Sequence, residues 1–472
     1  MLYKKRRKNI YILLTAIVVF GGLLVAAIWR QTKMPTLPVI RSESIYILLV
    51  FAVAFPMAVV WLLIRLFKRN RLLKETKENL FAMRELAASE IPAEFLEFSE
   101  REEHAPEEER GEREPRFCTL KMIDEEMRRY DAPEYNNELT LEEICKKFRA
   151  FSANHLGLYY DMADIRRFIG GLSVTHIIIM QGMSGTGKTS LAYAFGQFLQ
   201  NESVIIPIQP MWKERTDMIG YYNEFTKRFN ETTLLRKMYE ANYNDEIYIT
   251  VLDEMNIARV EYYFAEFLSL LELPNPESRY LDVVSDKWES DPIRLKDGQI
   301  RLPANMWFVG TANNDDSTFA ISDKVYDRAM VMNLDQRAEF FRTEDSEPVK
   351  LSATHFIRLI EQAQRDYEMT ERNRRRLDLL DEYLIEKFHI TFGNRIMKQI
   401  HQYIPVCIAC GGTEQDALDD ILSRKVLRKL EAQNPVYVRN AADGLCVFLD
   451  DLFGEDRMPL CKDYLRRLER SA

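Results

Sequence analysis

Cysteine is scarce in this chain, with six in 472 residues: Cys118, Cys145, Cys407, Cys410, Cys446 and Cys461. Six scattered thiols in a chain of this size exclude a disulfide framework. Cys407-Ile-Ala-Cys410 has the spacing of a redox pair or half a zinc site, but no second Cys or Cys/His pair lies nearby. The plainer expectation is two small residues at a buried helix end, stopped by Gly411-Gly412. An excess of basic charge is also missing. The 64 Lys and Arg face 73 Asp and Glu, a net charge of −9, which argues against coating nucleic acid by charge alone. No zinc-finger spacing, basic helix or aromatic–basic repeat appears, so direct nucleic-acid binding is not supported. Nuclease carboxylates in a recognisable motif are lacking too.

What is present begins with two long uncharged runs. Ile10–Trp29 and Ile45–Ile64 are each 20 residues without a charge. Each is long enough to cross a hydrocarbon core of roughly 30 Å as a helix. Pro56 falls in the second, where membrane helices tolerate it. Trp29 and Trp61 lie near run ends, as interfacial aromatics do. The basic start Lys4–Lys8 resembles a signal peptide's, but the apolar run is too long and a second follows at once. Five basic residues precede the first run, five follow the second (Arg65, Lys68, Arg69, Arg71, Lys74), and three lie between them. This bias predicts a two-span hairpin over 1–67 in the cytoplasmic membrane, with both termini and everything downstream cytoplasmic.

A mixed-charge juxtamembrane helix and an acidic spacer are expected over 68–116. Glu90–Arg116 holds eleven Glu, four Arg and three Pro, a composition that buries little and repels itself. Residues 117–170 return to helical spacing, with Leu141, Ile144, Phe148 and Phe151 on one face.

The chemistry concentrates further on. Thr175–Gln181 is an apolar run suited to a buried parallel strand. It leads into Gly182-Met183-Ser184-Gly185-Thr186-Gly187-Lys188-Thr189, followed by Ser190 and a helical pattern through Gln200. This is the phosphate-binding loop in the strand–loop–helix setting it needs. Glycines let backbone N–H groups turn inward around phosphate oxygens, at a helix N-terminus. Lys188 reaches the β and γ phosphates, and the Thr189 hydroxyl ligates Mg²⁺. A second β-branched strand, Ile247–Glu254, ends in two carboxylates. Asp253 is expected to hold Mg²⁺ and Glu254 to act as general base on the attacking water. A third, Met306–Asn313, ends in an amide that could orient that water. Val204–Ile208 and Met330–Leu334 complete five strands. Alternation with helices predicts a doubly wound parallel α/β core over 171–345, with a helical lid over 346–472. Ile293–Leu302 reads as a hairpin around Asp297-Gly298.

The order of these motifs resembles the AAA+ superfamily, and within it the branch of MoxR-type ATPases and the McrB motor (the dynein-related AAA subfamily). The resemblance covers roughly 150–435. It rests on Leu252-Asp-Glu-Met-Asn-Ile-Ala-Arg through Leu271-Glu272 and on Gly310-Thr-Ala-Asn-Asn-Asp-Asp-Ser-Thr318 running into Asp323–Ala329. It implies ATP and Mg²⁺ as ligands and a homo-oligomeric ring, commonly hexameric, with nucleotide between neighbours. Arg328 then matches the arginine finger. Arg395, in Phe392-Gly-Asn-Arg, matches the lid arginine that touches the γ-phosphate. The insert Pro210–Phe229 and the 293–302 segment fall where the family lines its pore or a partner face. McrB's DNA-reading domain has no counterpart here, so restriction does not transfer.

Three functions stay open at this point. One is a membrane-anchored motor that remodels a protein or nucleoprotein partner, with a defence system as one setting. A second is a nucleotide switch that gates a partner. A McrB-like, GTP-using motor for a separately encoded nuclease is a third. Glu254 together with Arg328 favours a motor, because a pure binding module needs neither.

Overall fold

The computed structural model describes residues 115–313, 318–335 and 338–471, which lie within one unit, Glu112–Ala472. The two uncharged runs and the acidic stretch through Glu114 lie outside the described residues. Among the described residues no helix is long and apolar enough to cross a membrane.

Five apolar runs form one parallel sheet: β1 Ile177–Gln181, β2 Val204–Pro207, β3 Tyr248–Asp253, β4 Met306–Ala312 and β5 Met330–Asn333. Their spatial order is β2-β3-β4-β1-β5. Such strands are buried on both faces, and successive side chains supply two different cores. Ile178, Met180, Ile249, Val251, Trp307 and Val309 point into one. Ile177, Ile179, Tyr248, Leu252, Met306 and Phe308 point into the other. A one-residue slip would exchange the two sets, so the alternation fixes the register. That register sets Gln181 beside Ala312 and Leu252 beside Gly310. The carboxyl ends of β1, β3 and β4 therefore finish at one edge.

Helices cover both faces. They run α1 Cys118–Met127, α2 Leu141–Leu156, α3 Met162–Val174, α4 Lys188–Phe198, α5 Arg215–Ile219, α6 Thr233–Ala241, α7 Val260–Tyr263, α8 Ala265–Leu271 and α9 Asp323–Tyr326. The α2 start is fixed by a capping box, Thr140 with Glu143, and its end by Gly157 in the left-handed region. Phe148 of α2 packs against Phe168 of α3 and against Phe195 and Phe198 of α4. The helices of 117–170 are thus part of the sheet's own core. After β5 the chain is helical: α10 Ala353–Asp366, α11 Glu371–Phe388, α12 Gly393–Ala409, α13 Glu414–Ile421, α14 Pro435–Phe453 and α15 Pro459–Ser471. Cys407 and Cys410 sit buried at the end of α12, and Gly411 follows with φ 83°. Arg372, Arg374 and Arg375 lie on the exposed face of α11.

One expectation needs correction. Asp297 and Gly298 do make the tight turn, both with positive φ, and Lys296 and Gln299 exchange backbone hydrogen bonds across it. The strand that follows, Gln299–Arg301, then pairs antiparallel with Tyr280–Asp282 and not with Ile293–Leu295. The Ile293 and Arg294 N–H groups are taken instead by the Asp124 carboxylate and the Tyr239 hydroxyl. With its donors satisfied there, that segment has no ladder to offer. The insert after β2 holds α5 and a short ribbon, Tyr222–Asn223 against Arg228–Phe229, with Phe225 at its tip 92% exposed.

Candidate nucleotide site

The loop after β1 is shaped by its glycines. Gly182, Gly185 and Gly187 all have positive φ, at 140°, 82° and 93°. A Cβ on Gly182 would lie 2.3 Å from the Leu334 carbonyl oxygen, where the end of β5 closes on β1. The α4 N-terminus opens at Gly187 with no side-chain cap. Its first N–H groups are therefore free to meet an anion. Lys188 is buried at the head of α4. Its ammonium donates to the Gly182 and Met183 carbonyls at 2.9 and 2.8 Å. Desolvation pulls it below the usual lysine range, against the opposing pull of Asp253, Asp335 and Glu254. The Tyr160 hydroxyl, from the segment before α3, donates to the Gly187 carbonyl at 3.3 Å.

Across from the loop, the Thr189 hydroxyl donates to Asp253 Oδ1 at 2.8 Å. These are two hard oxygen donors side by side at the loop mouth. Mg²⁺ prefers few protein oxygens and completes its shell with water and phosphate, so the pair fits it. Glu254 stands one residue past β3 with φ 51°. Its N–H donates to the Thr311 hydroxyl at 2.9 Å, and that hydroxyl donates to Asp253 Oδ1 at 2.9 Å. Asn313 follows β4 and brings Nδ2 to 3.5 Å from Glu254 Oε1. The sheet edge thus brings together Gly182–Ser190, Asp253, Glu254 and Asn313.

Three residues that set this geometry carried no role in the sequence reading. Thr311 locks the two carboxylate-bearing residues to β4. Asn256, 4% exposed, clamps Asn313 from both sides: it donates to the Asn313 carbonyl at 2.9 Å and accepts from the Asn313 N–H at 3.3 Å. Met255 lies over Gly310, where a Cβ would come within 2.0 Å of its sulfur. All of them fall within the two runs that carry the family resemblance; an Asn two or three positions past the strand-end carboxylates and a Thr near the end of the β4 run were the available signal.

Arg328 and Arg395 are elsewhere. Arg328 precedes β5, and Arg395 lies in the first turn of α12. Both sit on Glu272, just past α8, as ion pairs: Arg328 Nε to Oε2 at 2.8 Å and Arg395 Nη2 to Oε1 at 2.7 Å. They line an open cavity of about 860 Å³ whose walls include His176, Ile177, Ala304 and Trp307. Those residues stand at the amino ends of β1 and β4. A five-residue strand spans roughly 15 Å, so Arg395 is on the opposite edge of the sheet from the Gly182–Thr189 loop. Any contact between Arg395 and a γ-phosphate is therefore not made at the loop of its own chain. The reason is that α12 docks on α3 with its N-terminus at the edge where the strands begin.

Residues 177–329 match the family described as AAA domain (dynein-related subfamily). That stretch, about a third of the chain, is similar to AAA domains. Such a domain binds nucleotide, and the site just described lies wholly within its span except for Tyr160 and Asp335. Residues 343–472 match a second family, described as a domain of unknown function (DUF8727). This second match begins after β5 and takes in α10 to α15. A solved structure described as a "putative ATPase" from Cytophaga hutchinsonii ATCC 33406 is similar at 12% identity, with a TM-score of 0.41, over 67% of this chain and 92% of that one. No curated protein matches the chain.

Proposed function

We propose that this protein is a MoxR/McrB-like ATPase that hydrolyses ATP at sites completed between neighbouring copies in a ring, hexameric by preference. The observation that carries this is the separation of charges across the sheet. The phosphate loop, Asp253, Glu254 and Asn313 occupy the carboxyl edge, while Arg328 and Arg395 occupy the other. Developing negative charge on a transferred phosphoryl group needs cations beyond one lysine. This chain's own arginine pair lies at the opposite edge from its own loop, and in a ring a neighbour's pair would supply those cations.

In this mechanism the α4 N-terminus and the loop N–H groups, with Ser190, hold the phosphates. Lys188 leaves the Gly182 and Met183 carbonyls for the β and γ phosphates. Thr189 and Asp253 would hold Mg²⁺, whose chemistry there is to neutralise phosphate charge. Asn313 orients a water, and Glu254 takes its proton as the oxygen attacks the γ-phosphorus; phosphate and ADP leave. Glu254, in the left-handed region, has its carboxylate against Asn313, while Asp253 bonds Thr189 and Thr311, so base and metal ligand have different partners.

The two uncharged runs would anchor the ring to the cytoplasmic face of the membrane, and turnover would remodel a protein or nucleoprotein partner there. The test is ATP turnover by the full chain in lipid nanodiscs. Lys188→Ala and Glu254→Gln are each expected to abolish it, and assembly size is expected to rise with nucleotide. Tight ATP binding without turnover by wild type would refute the motor and leave a switch.

A further inference from the structure

Glu272 joins three segments that have separate origins. It follows α8, which begins eleven residues beyond Glu254. Arg328 comes from the turn between α9 and β5, and Arg395 from the C-terminal helical region. One carboxylate therefore holds two guanidiniums, one on each oxygen. Two guanidiniums thus share one carboxylate, while the rest of the cavity wall is mixed, with Lys398 and Arg279 against Asp327 and Glu361. Two planar guanidiniums converging on one oxyanion form the geometry that suits a phosphate group, which carries more charge and more acceptor oxygens than a carboxylate.

The pairs are also easily exchanged. Glu272 and Arg328 are each about 30% exposed and Arg395 about 50%. Arg328 Nε contacts Glu272 without the alignment of a hydrogen bond. Partly exposed ion pairs of this kind are weak, so an incoming phosphate has little to displace.

Resting on the intersubunit reading above, we propose that Glu272 is an internal stand-in for the neighbour's γ-phosphate. It is a positioning residue. In the free subunit it keeps Arg328 and Arg395 side by side, and it yields both when the adjacent subunit presents nucleotide. Arg395 then acts on the neighbour's phosphate together with Arg328. Because Glu272 ends the helical stretch that starts beside Glu254, its release also informs one subunit's hydrolysis edge that the next is loaded.

The test uses full chains co-expressed as mixed rings in nanodiscs. In a ring, each site takes its loop edge from one subunit and its arginine edge from the next. Glu254→Gln destroys only the loop edge. Mixed equally with Arg328→Ala, which keeps that edge, it should restore turnover to about a quarter of wild type by random placement. No rescue there overturns the intersubunit reading itself. Arg395→Ala mixed with Glu254→Gln should be rescued alike; rescue with Arg328→Ala but not with Arg395→Ala overturns the present proposal alone. Glu272→Gln removes the competing charge and keeps the shape, so half-maximal turnover should need about threefold less ATP, the few-fold scale of an exposed pair. Glu272→Asp, which keeps the charge, should stay near wild type. An unchanged or raised ATP requirement in Glu272→Gln, with Arg328→Ala rescued as expected, refutes the stand-in role.

Discussion

Replacing Thr311 with Val tests the site at the residue on which its two carboxylates depend. Valine has nearly the same shape, so the 3%-exposed position stays filled and no cavity forms. What disappears is the hydroxyl. Asp253 loses a donor at 2.9 Å, and the Glu254 N–H loses its acceptor at 2.9 Å. A hydrogen bond to a charged group contributes about 1.5–3 kcal/mol, and an orphaned buried donor costs about 1–3 kcal/mol. Asp253 is only half-buried and keeps the Thr189 hydroxyl, so the low end applies to it, and the sum is about 3 kcal/mol. A second consequence is local. Glu254 sits in the left-handed region, which costs a non-glycine residue about 1–2 kcal/mol. The N–H bond to Thr311 offsets that cost. Without it the backbone relaxes toward the extended region and the carboxylate turns away from Asn313. Turnover should fall by about 100-fold, the low end of what a general base contributes, because the base is displaced and not removed. Urea unfolding of the full chain, read with a probe in the Glu112–Ala472 unit, gives the first number, and steady-state ATP turnover gives the second. Thr311→Ser keeps the hydroxyl and should retain most of both. A Thr311→Val protein within about 0.5 kcal/mol of wild type, the ordinary noise of a neutral substitution, and with unaltered turnover would refute the reasoning.

Further predictions follow from other positions. Gly182→Ala forces a Cβ against the Leu334 carbonyl at 2.3 Å with φ at 140°; nucleotide binding, measured by fluorescent-analogue titration, should be lost, while Gly185→Ala, with open space around it, should bind more weakly but measurably. Asn256→Ala leaves the Asn313 N–H and carbonyl without their clamp and should destabilise by about 2 kcal/mol, with a larger loss in turnover than in ATP affinity. His176 is half-buried and donates from Nε2 to the Ala304 carbonyl at 3.1 Å; desolvation first, then Arg279, lower its pKa from 6.5 to about 4. The unfolded chain thus takes up this proton near pH 6.5 while the folded protein refuses it until about pH 4. Stability is full above 6.5 and falls by about 3 kcal/mol as pH drops to 4, a slope that His176→Gln should flatten in pH-dependent urea titrations.

The sheet was legible because its signal is redundant. Each strand is an apolar run that finishes in a turn or a polar residue, and all five lie within a residue or two of where those runs predict. The phosphate loop was legible because its chemistry and its backbone demand coincide: Gly182, Gly185 and Gly187 are needed both for φ and for phosphate approach. Arg395 shows the limit. Its sequence context specifies a helix start, and the helix is there, but nothing in a local run says at which edge of a sheet that start will dock. The docking is set by α12 packing on α3, a contact between residues more than 200 positions apart. The 293–302 hairpin failed for a related reason. The turn chemistry at Asp297-Gly298 is local and correct, while the partner strand was decided by Asp124 and Tyr239, which are distant in sequence and take up the competing donors. Thr311 and Asn256 stayed silent because a hydroxyl near a strand end or an amide just past one has many ordinary uses, and only the register tells which one applies.

The placement of Arg328 depends on the C-terminal helical region as well as on the AAA domain. Three consecutive-region carbonyls around it accept from that region: Tyr326 and Ala329 from Lys425 at 2.7 Å each, and Asp327 from Gln399 at 3.2 Å. The Arg428 guanidinium lies over the Tyr326 ring at 3.2 Å. Lys425 is fully enclosed, and burial brings its pKa down from 10.5 to about 7, only partly opposed by Asp327, with Arg428, Arg395 and Lys429 pushing the same way as burial. A charged lysine is costly at such a position, yet every N–H it directs at a carbonyl removes an orphan from the segment that carries Arg328. The sign of its pH dependence follows. Between pH 7 and 10.5 the unfolded chain holds a proton that the folded protein has released, so stability rises with pH across that window. Lys425→Met has no such proton. The stability difference between wild type and Lys425→Met should therefore grow by about 2 kcal/mol from pH 7 to 9. In mixed rings the Lys425→Met defect should behave as an arginine-edge defect, rescued by Glu254→Gln subunits. A variant that was merely less stable would gain nothing from such a partner, so absence of rescue would remove Lys425 from the placement of Arg328 and leave it a buried lysine of the fold.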